Sequence, residues 1–318
     1  MSQSAFQKIA SWWLLSLIVI GAGLLLATPV TAAEPTADEE EIEIPEPEVI
    51  SLTTDDKLDL KATFYGGTLG KKSVPIVILH DYKGNRNEFH KLAMGLQSLG
   101  QAVLVPDLRG HGDSTKFKAI GPRRPAEITA ARMRRASDFA PIVLGDLEAV
   151  RRFLLDKNNA GELNLNKLTV IGAGGMGSSM AMNWALRDWS FPPLATGKQG
   201  QDIKALVLLS PEWSFKGVTI DRALAHPAVR SQVAMLILVG AANPGAVEEA
   251  ERIYNRLEPF HPTPPPDRAQ ERDLFLLELE TNLQGSKLIT VPGLNVPATI
   301  AQFVDLRLVN ADFPWLER

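Results

Sequence analysis

Val105-Pro106-Asp107-Leu108-Arg109-Gly110-His111-Gly112-Asp113-Ser114 ends a short apolar run, Ala102 to Pro106, in a turn with two glycines among charged residues. An apolar run stopped by such a turn reads as a buried strand leaving a sheet. Further apolar runs lie at Ile76 to His80, Leu168 to Ile171, Ala205 to Ser210, Met235 to Gly240 and Lys287 to Val291. They alternate with helical stretches at Glu88 to Leu99, Ile142 to Leu155, Met176 to Asp188, Ala246 to Leu257 and Thr299 to Leu308. That alternation predicts a mostly parallel sheet with helices on both faces. Upstream, Val49 to Thr53 and Leu58 to Tyr65 flank Asp55-Asp56 as a hairpin, so the expected sheet has eight strands. The Pro-rich run His261 to Pro266 reads as a rigid connector before a helix-like segment, Ala269 to Glu280.

The 318 residues are 45% hydrophobic and 22% charged, enough for one large α/β domain and its core. A net charge of -4 gives no general attraction to nucleic acid, and none is expected as a partner. There is no cysteine, and the five histidines have no metal-ligand spacing, so neither a metal nor a cofactor is expected.

Near the amino end, Lys8 precedes the apolar stretch Trp12 to Ala27, and Pro29-Val30-Thr31-Ala32-Ala33 supplies small residues suited to cleavage. Residues 1–33 therefore read as a signal peptide; the other reading is an uncleaved membrane tether through residues 12–28. Both place the folded part outside the cytoplasm, as a secreted, periplasmic or membrane-tethered protein. Residues 34–48 are acidic and interrupted by proline, which predicts an extended linker. The remaining 49–318 form the expected domain.

Three segments resemble the α/β-hydrolase family. Val77-Ile78-Leu79-His80-Asp81-Tyr82 is similar to the strand that ends in His-Gly in that family, with Asp81 in place of the glycine. Asp107 to Ser114 matches its Asp-x-Arg-Gly-x-Gly-x-Ser turn residue for residue. Leu168 to Ser178 resembles the strand, turn and helix of a nucleophile elbow. The resemblance implies that Asp107 and Arg109 hold a structural turn, which makes His111 a turn residue rather than a base. Residues 115–139, rich in Lys and Arg, sit where the family inserts cap elements. They could attract an anionic ligand or form a solvated lid.

The chemistry of the family needs a nucleophile on the elbow, then an acid, then a histidine. Anchoring on Met176-Gly177 puts Gly175 at the nucleophile position; anchoring on Gly172 puts Gly174 there. Neither carries an oxygen. The acid position falls on Asn243 in Gly240-Ala241-Ala242-Asn243-Pro244, and the histidine position, after Lys287 to Val291, falls on Asn295. The expectation is a catalytically degenerate hydrolase fold, a pseudoenzyme. Its pocket, with oxyanion donors at Met176 and Tyr82 beside Asp81, would bind a small molecule or a cell-envelope component. The alternative is an active ester or amide hydrolase using Ser178 or a His80 and Asp81 pair, with Asp113 as a further polar candidate. Trp213 is expected near the pocket rim, and Trp184 in the core.

Overall fold

The computed structural model describes residues 43–118, 126–192 and 197–318. The segment read as a signal peptide or tether, most of the segment read as a linker, and Arg123 and Arg124 of the basic insertion lie outside the described residues. The strands are β1 (Glu48–Thr53), β2 (Asp59–Tyr65), β3 (Pro75–Leu79), β4 (Ala102–Pro106), β5 (Leu168–Ala173), β6 (Ile203–Leu209), β7 (Ser214–Phe215), β8 (Val218–Thr219), β9 (Ala234–Gly240) and β10 (Leu274–Leu279). The α-helices are α1 (His90–Ser98), α2 (Ala136–Pro141), α3 (Leu147–Asn159), α4 (Gly174–Trp189), α5 (Asp221–Ala225), α6 (Val229–Gln232), α7 (Pro244–Leu257) and α8 (Val296–Val304).

Eight strands form one sheet in the order β1-β2-β4-β3-β5-β6-β9-β10, while β7 and β8 make a separate hairpin. β1 and β2 pair antiparallel, β2 meets β4 antiparallel, and the other neighbours are parallel. The expected eight-stranded sheet is therefore present. Because side chains alternate across a strand, Val77 and Leu79 join a core under α3, α4 and α7. Ile76 and Ile78 join the opposite core under α1 and α8. Trp184 is buried in the first of these. Among the described residues no helix is long and apolar enough to cross a membrane.

The last strand lies elsewhere than its expected place. Lys287 to Val291 falls mostly within a 3-10 turn, Gly285–Thr290, and the segment expected to be helical supplies β10 instead. Leu and Glu favour helices in isolation, but the open edge of β9 takes Leu274–Leu279 as its parallel partner from Leu274↔Met235 to Leu279↔Gly240.

Candidate functional site

At the carboxyl end of β5 the chain turns through Gly174, whose φ of +63° is left-handed, and α4 starts there. Such a backbone marks the tip of an elbow and suits glycine. The tip is thus Gly174, one residue before the Gly175 reached by anchoring on Met176-Gly177.

The space above that tip belongs to Asp81, which follows β3. A Cβ built on Gly174 would overlap the Asp81 carboxyl group. The backbone N–H of Met176 donates to Asp81 Oδ1 at 3.1 Å, and the N–H of Tyr82 also supports this carboxylate. The two expected oxyanion donors therefore converge on a negative group from the protein itself. Burial pushes the Asp81 pKa above the usual carboxylate range; the two N–H groups oppose that rise and the charge of Glu88 adds to it.

Glu212, just past β6, stands over the second elbow glycine: a Cβ on Gly175 would lie 2.6 Å from its Cδ. Its pKa is also raised, first by burial and then by the charges of Asp81 and Glu249. These three carboxylates line a cavity of about 490 Å³ together with Gly174, Gly175, Ser210, Asn243 and Gln284, and among the described residues no Lys, Arg or His lines it. A neighbouring cavity of about 560 Å³ shares Asp81 and Gln284 and adds Lys83, Glu88 and Lys287.

Asn243 reaches this cavity as the N-cap of α7, its Oδ1 accepting from the N–H of Ala246 at 3.2 Å. Asn295 does not line it; that residue precedes α8. Once β10 is placed at Leu274–Leu279, the residue that reaches the cavity after the last strand is Gln284. Its Nε2 donates to the Gly240 carbonyl at 2.8 Å and its Oε1 accepts from Ser210 Oγ and, at 3.2 Å, from the N–H of Gly240. An amide held this way braces the loop. Glu212 could have been noticed in the sequence, because it directly follows a strand, where α/β sheets bind ligands. Gln284 was hidden by the misplaced strand.

The remaining candidates have structural partners. His80 is fully buried; its Nδ1 contacts the Asp81 carbonyl at 2.8 Å and its Nε2 accepts from the N–H of Leu108 at 2.9 Å. Burial pulls its pKa down to about 3, so the ring is neutral at physiological pH. Ser178 Oγ, also buried, donates to the Gly172 carbonyl at 3.0 Å. Asp113 pairs with Arg86 at 2.8 Å. His111 packs against His80 and Tyr82, with Nδ1 2.9 Å from the Arg109 carbonyl.

Tyr82 donates its hydroxyl to Ala130 of the basic insertion at 2.8 Å, and Lys216 of the β7–β8 hairpin lies 3.5 Å over its ring. Trp213 is tied to the cavity-lining Glu249, its backbone N–H donating to Oε2 at 2.7 Å, while its Nε1 donates to Asp221 at 2.8 Å and the Arg252 guanidinium lies over its ring. Among the described residues no group of three or more His, Cys, Asp or Glu is arranged to hold a metal ion.

A parallel sheet of this order, with a sharp turn from β5 into a buried helix, defines the class as the α/β-hydrolase fold. The chain belongs to that family: residues 74–236 match the family model described as alpha/beta hydrolase fold. Solved structures similar to it include an esterase of Pyrococcus furiosus, 16% identical over 90% of this chain and 100% of that one, with a TM-score of 0.56. DcsB, solved with its substrate analogue, is 14% identical over 83% of this chain and 100% of its own, with a TM-score of 0.55. An acylaminoacyl peptidase of Pyrococcus horikoshii is 14% identical, covering 87% of this chain and 44% of that one, with a TM-score of 0.55. At such identities the likeness speaks for the fold alone. No curated protein matches the sequence.

Proposed function

We propose that this protein is an exported, catalytically degenerate hydrolase fold that binds a ligand in its former acyl cleft without cleaving it. The observation that carries this reading is the Asp81 carboxylate seated over Gly174 and bonded by the N–H of Met176. Acyl transfer needs donors aimed at a developing oxyanion, and a carboxylate already holding them repels that charge. Gly174 has no atom to attack with, and Asn243 and Gln284 are neutral where an acid and a base would be required. Among the described residues the cavity is lined by three carboxylates, of which Glu249 pairs with Arg252 at 3.9 Å while Asp81 and Glu212 have no ion pair, and it suits a ligand bearing positive charge. For export, the support is the amino-terminal pattern of Lys8, an apolar stretch and small residues.

Treatment with a fluorophosphonate probe tests the first part. No labelling is expected above that of the Ser178→Ala and Ser179→Ala variants, and no turnover of p-nitrophenyl esters. Labelling lost in one of these variants would replace this reading with an active serine hydrolase. Mass spectrometry of the mature amino end tests export: loss of residues 1–33 is expected, whereas their retention points to the tether.

A further inference from the structure

We propose that a second site, on the outer side of α4, binds an anionic amphiphile of the fatty-carboxylate type. A groove of about 480 Å³ runs between α2, α4 and α5. Phe139, Val143, Leu144 and Met180 supply its apolar wall, and among the described residues its only charged lining residues are Arg187 and Arg222.

Charge and exposure together identify the occupant. No carboxylate lines the groove, and neither arginine makes an ion pair among the described residues. Arg187 Nε is buried with no hydrogen-bond partner in the described structure, and the Phe191 ring centroid lies 5.5 Å from the guanidinium carbon. A guanidinium without an ion pair leaves its charge uncompensated, and an anion seated in the groove supplies that compensation. Leu144 is 55% exposed, although it sits among the apolar groups of the wall. It belongs to a π-helical turn, Ile142–Asp146, whose Asp146 points inward to Arg109 at 3.0 Å. Wide turns of this kind recur at functional sites.

An apolar wall ending at two unneutralised guanidinium groups fits a ligand with one anionic head and an alkyl tail. Its size falls within the range of small-molecule pockets. The site shares no lining residue with the carboxylate cavity, so it stands independently of the proposed function.

Calorimetric titration of the full chain with sodium dodecanoate, kept below its micelle threshold, tests the proposal. Saturable binding is expected, with dodecyltrimethylammonium binding at least about tenfold more weakly. Replacing both arginines (R187A with R222A) should weaken dodecanoate at least about tenfold. Ala140→Trp, at an exposed lining position, should block the groove without touching the core. The proposal is overturned by an absence of saturable binding or by affinity unchanged in both variants. It is equally overturned if the protein associates with phosphatidylglycerol vesicles and not with monomeric dodecanoate, which would make this face a membrane contact.

Discussion

The turn after β4 and the turn after β5 use one device with opposite results. In each, a left-handed glycine leaves room for a carboxylate that a Cβ would overlap: Gly112 (φ +48°) for Asp107, and Gly174 (φ +63°) for Asp81. Asp107 is fully buried and saturated. It pairs with the Arg86 guanidinium and accepts from the N–H of Arg86 at 2.7 Å and of Asp113 at 2.9 Å. Arg109 in the same turn is shared between Asp146 and Asp56. Asp81 has N–H donors but no ion pair among the described residues, and its neighbours Glu212 and Glu88 repel it. A buried charge with a full set of partners builds the fold, and a half-satisfied one faces a cavity.

Breaking the saturated turn should have the largest effect. Asp107→Ala strips the Arg86 guanidinium of its buried partner and leaves two N–H donors without acceptors, and urea denaturation should register a loss of about 3–5 kcal/mol. The elbow should respond less. Gly174→Ala puts a Cβ into both a left-handed backbone and the Asp81 carboxyl group, for a loss of about 2 kcal/mol. Because the second part of that cost belongs to the pair, Gly174→Ala made together with Asp81→Gly should recover about 1 kcal/mol in a double-mutant cycle. Strict additivity would show that Asp81 does not occupy the space above the tip.

Most of the fold was legible because it rests on features that short segments carry. Ala102 to Pro106 is a strand in both readings, with the same limits, since a fully buried strand needs only an unbroken apolar run bounded by turn residues. Leu274–Leu279 was not legible: an edge strand is half exposed, and its identity depends on the pairing surface that β9 offers. That one displacement moved the position after the last strand from Gln284 to Asn295. At the elbow the run of glycines was visible, yet which of them is the tip is a matter of φ, which the sequence does not display. Nor did anything local mark Arg187 and Arg222 as neighbours, because the packing of α4 and α5 brings them to one groove.

The smallest expected effect is the most informative about what the elbow carboxylate contributes. Burial raises the Asp81 pKa above its value in an unfolded chain, so the native state binds the proton more tightly than the unfolded state does. The stability associated with that proton is present at acidic pH and is lost as the pH rises through the folded pKa. Asp81→Asn keeps an oxygen that can accept from the N–H of Met176 but removes the ionisation. At neutral pH the variant should therefore be the more stable, by about 1 kcal/mol or less, a rise in Tm of roughly 2 °C. At acidic pH the two melting curves should converge, because the aspartic acid is then neutral as well. Thermal melts of both proteins from pH 3 to pH 8 would measure the difference. A variant that is instead less stable at neutral pH would mean that the ionised carboxylate is fully compensated by its N–H donors, making Asp81 a structural residue of the same kind as Asp107.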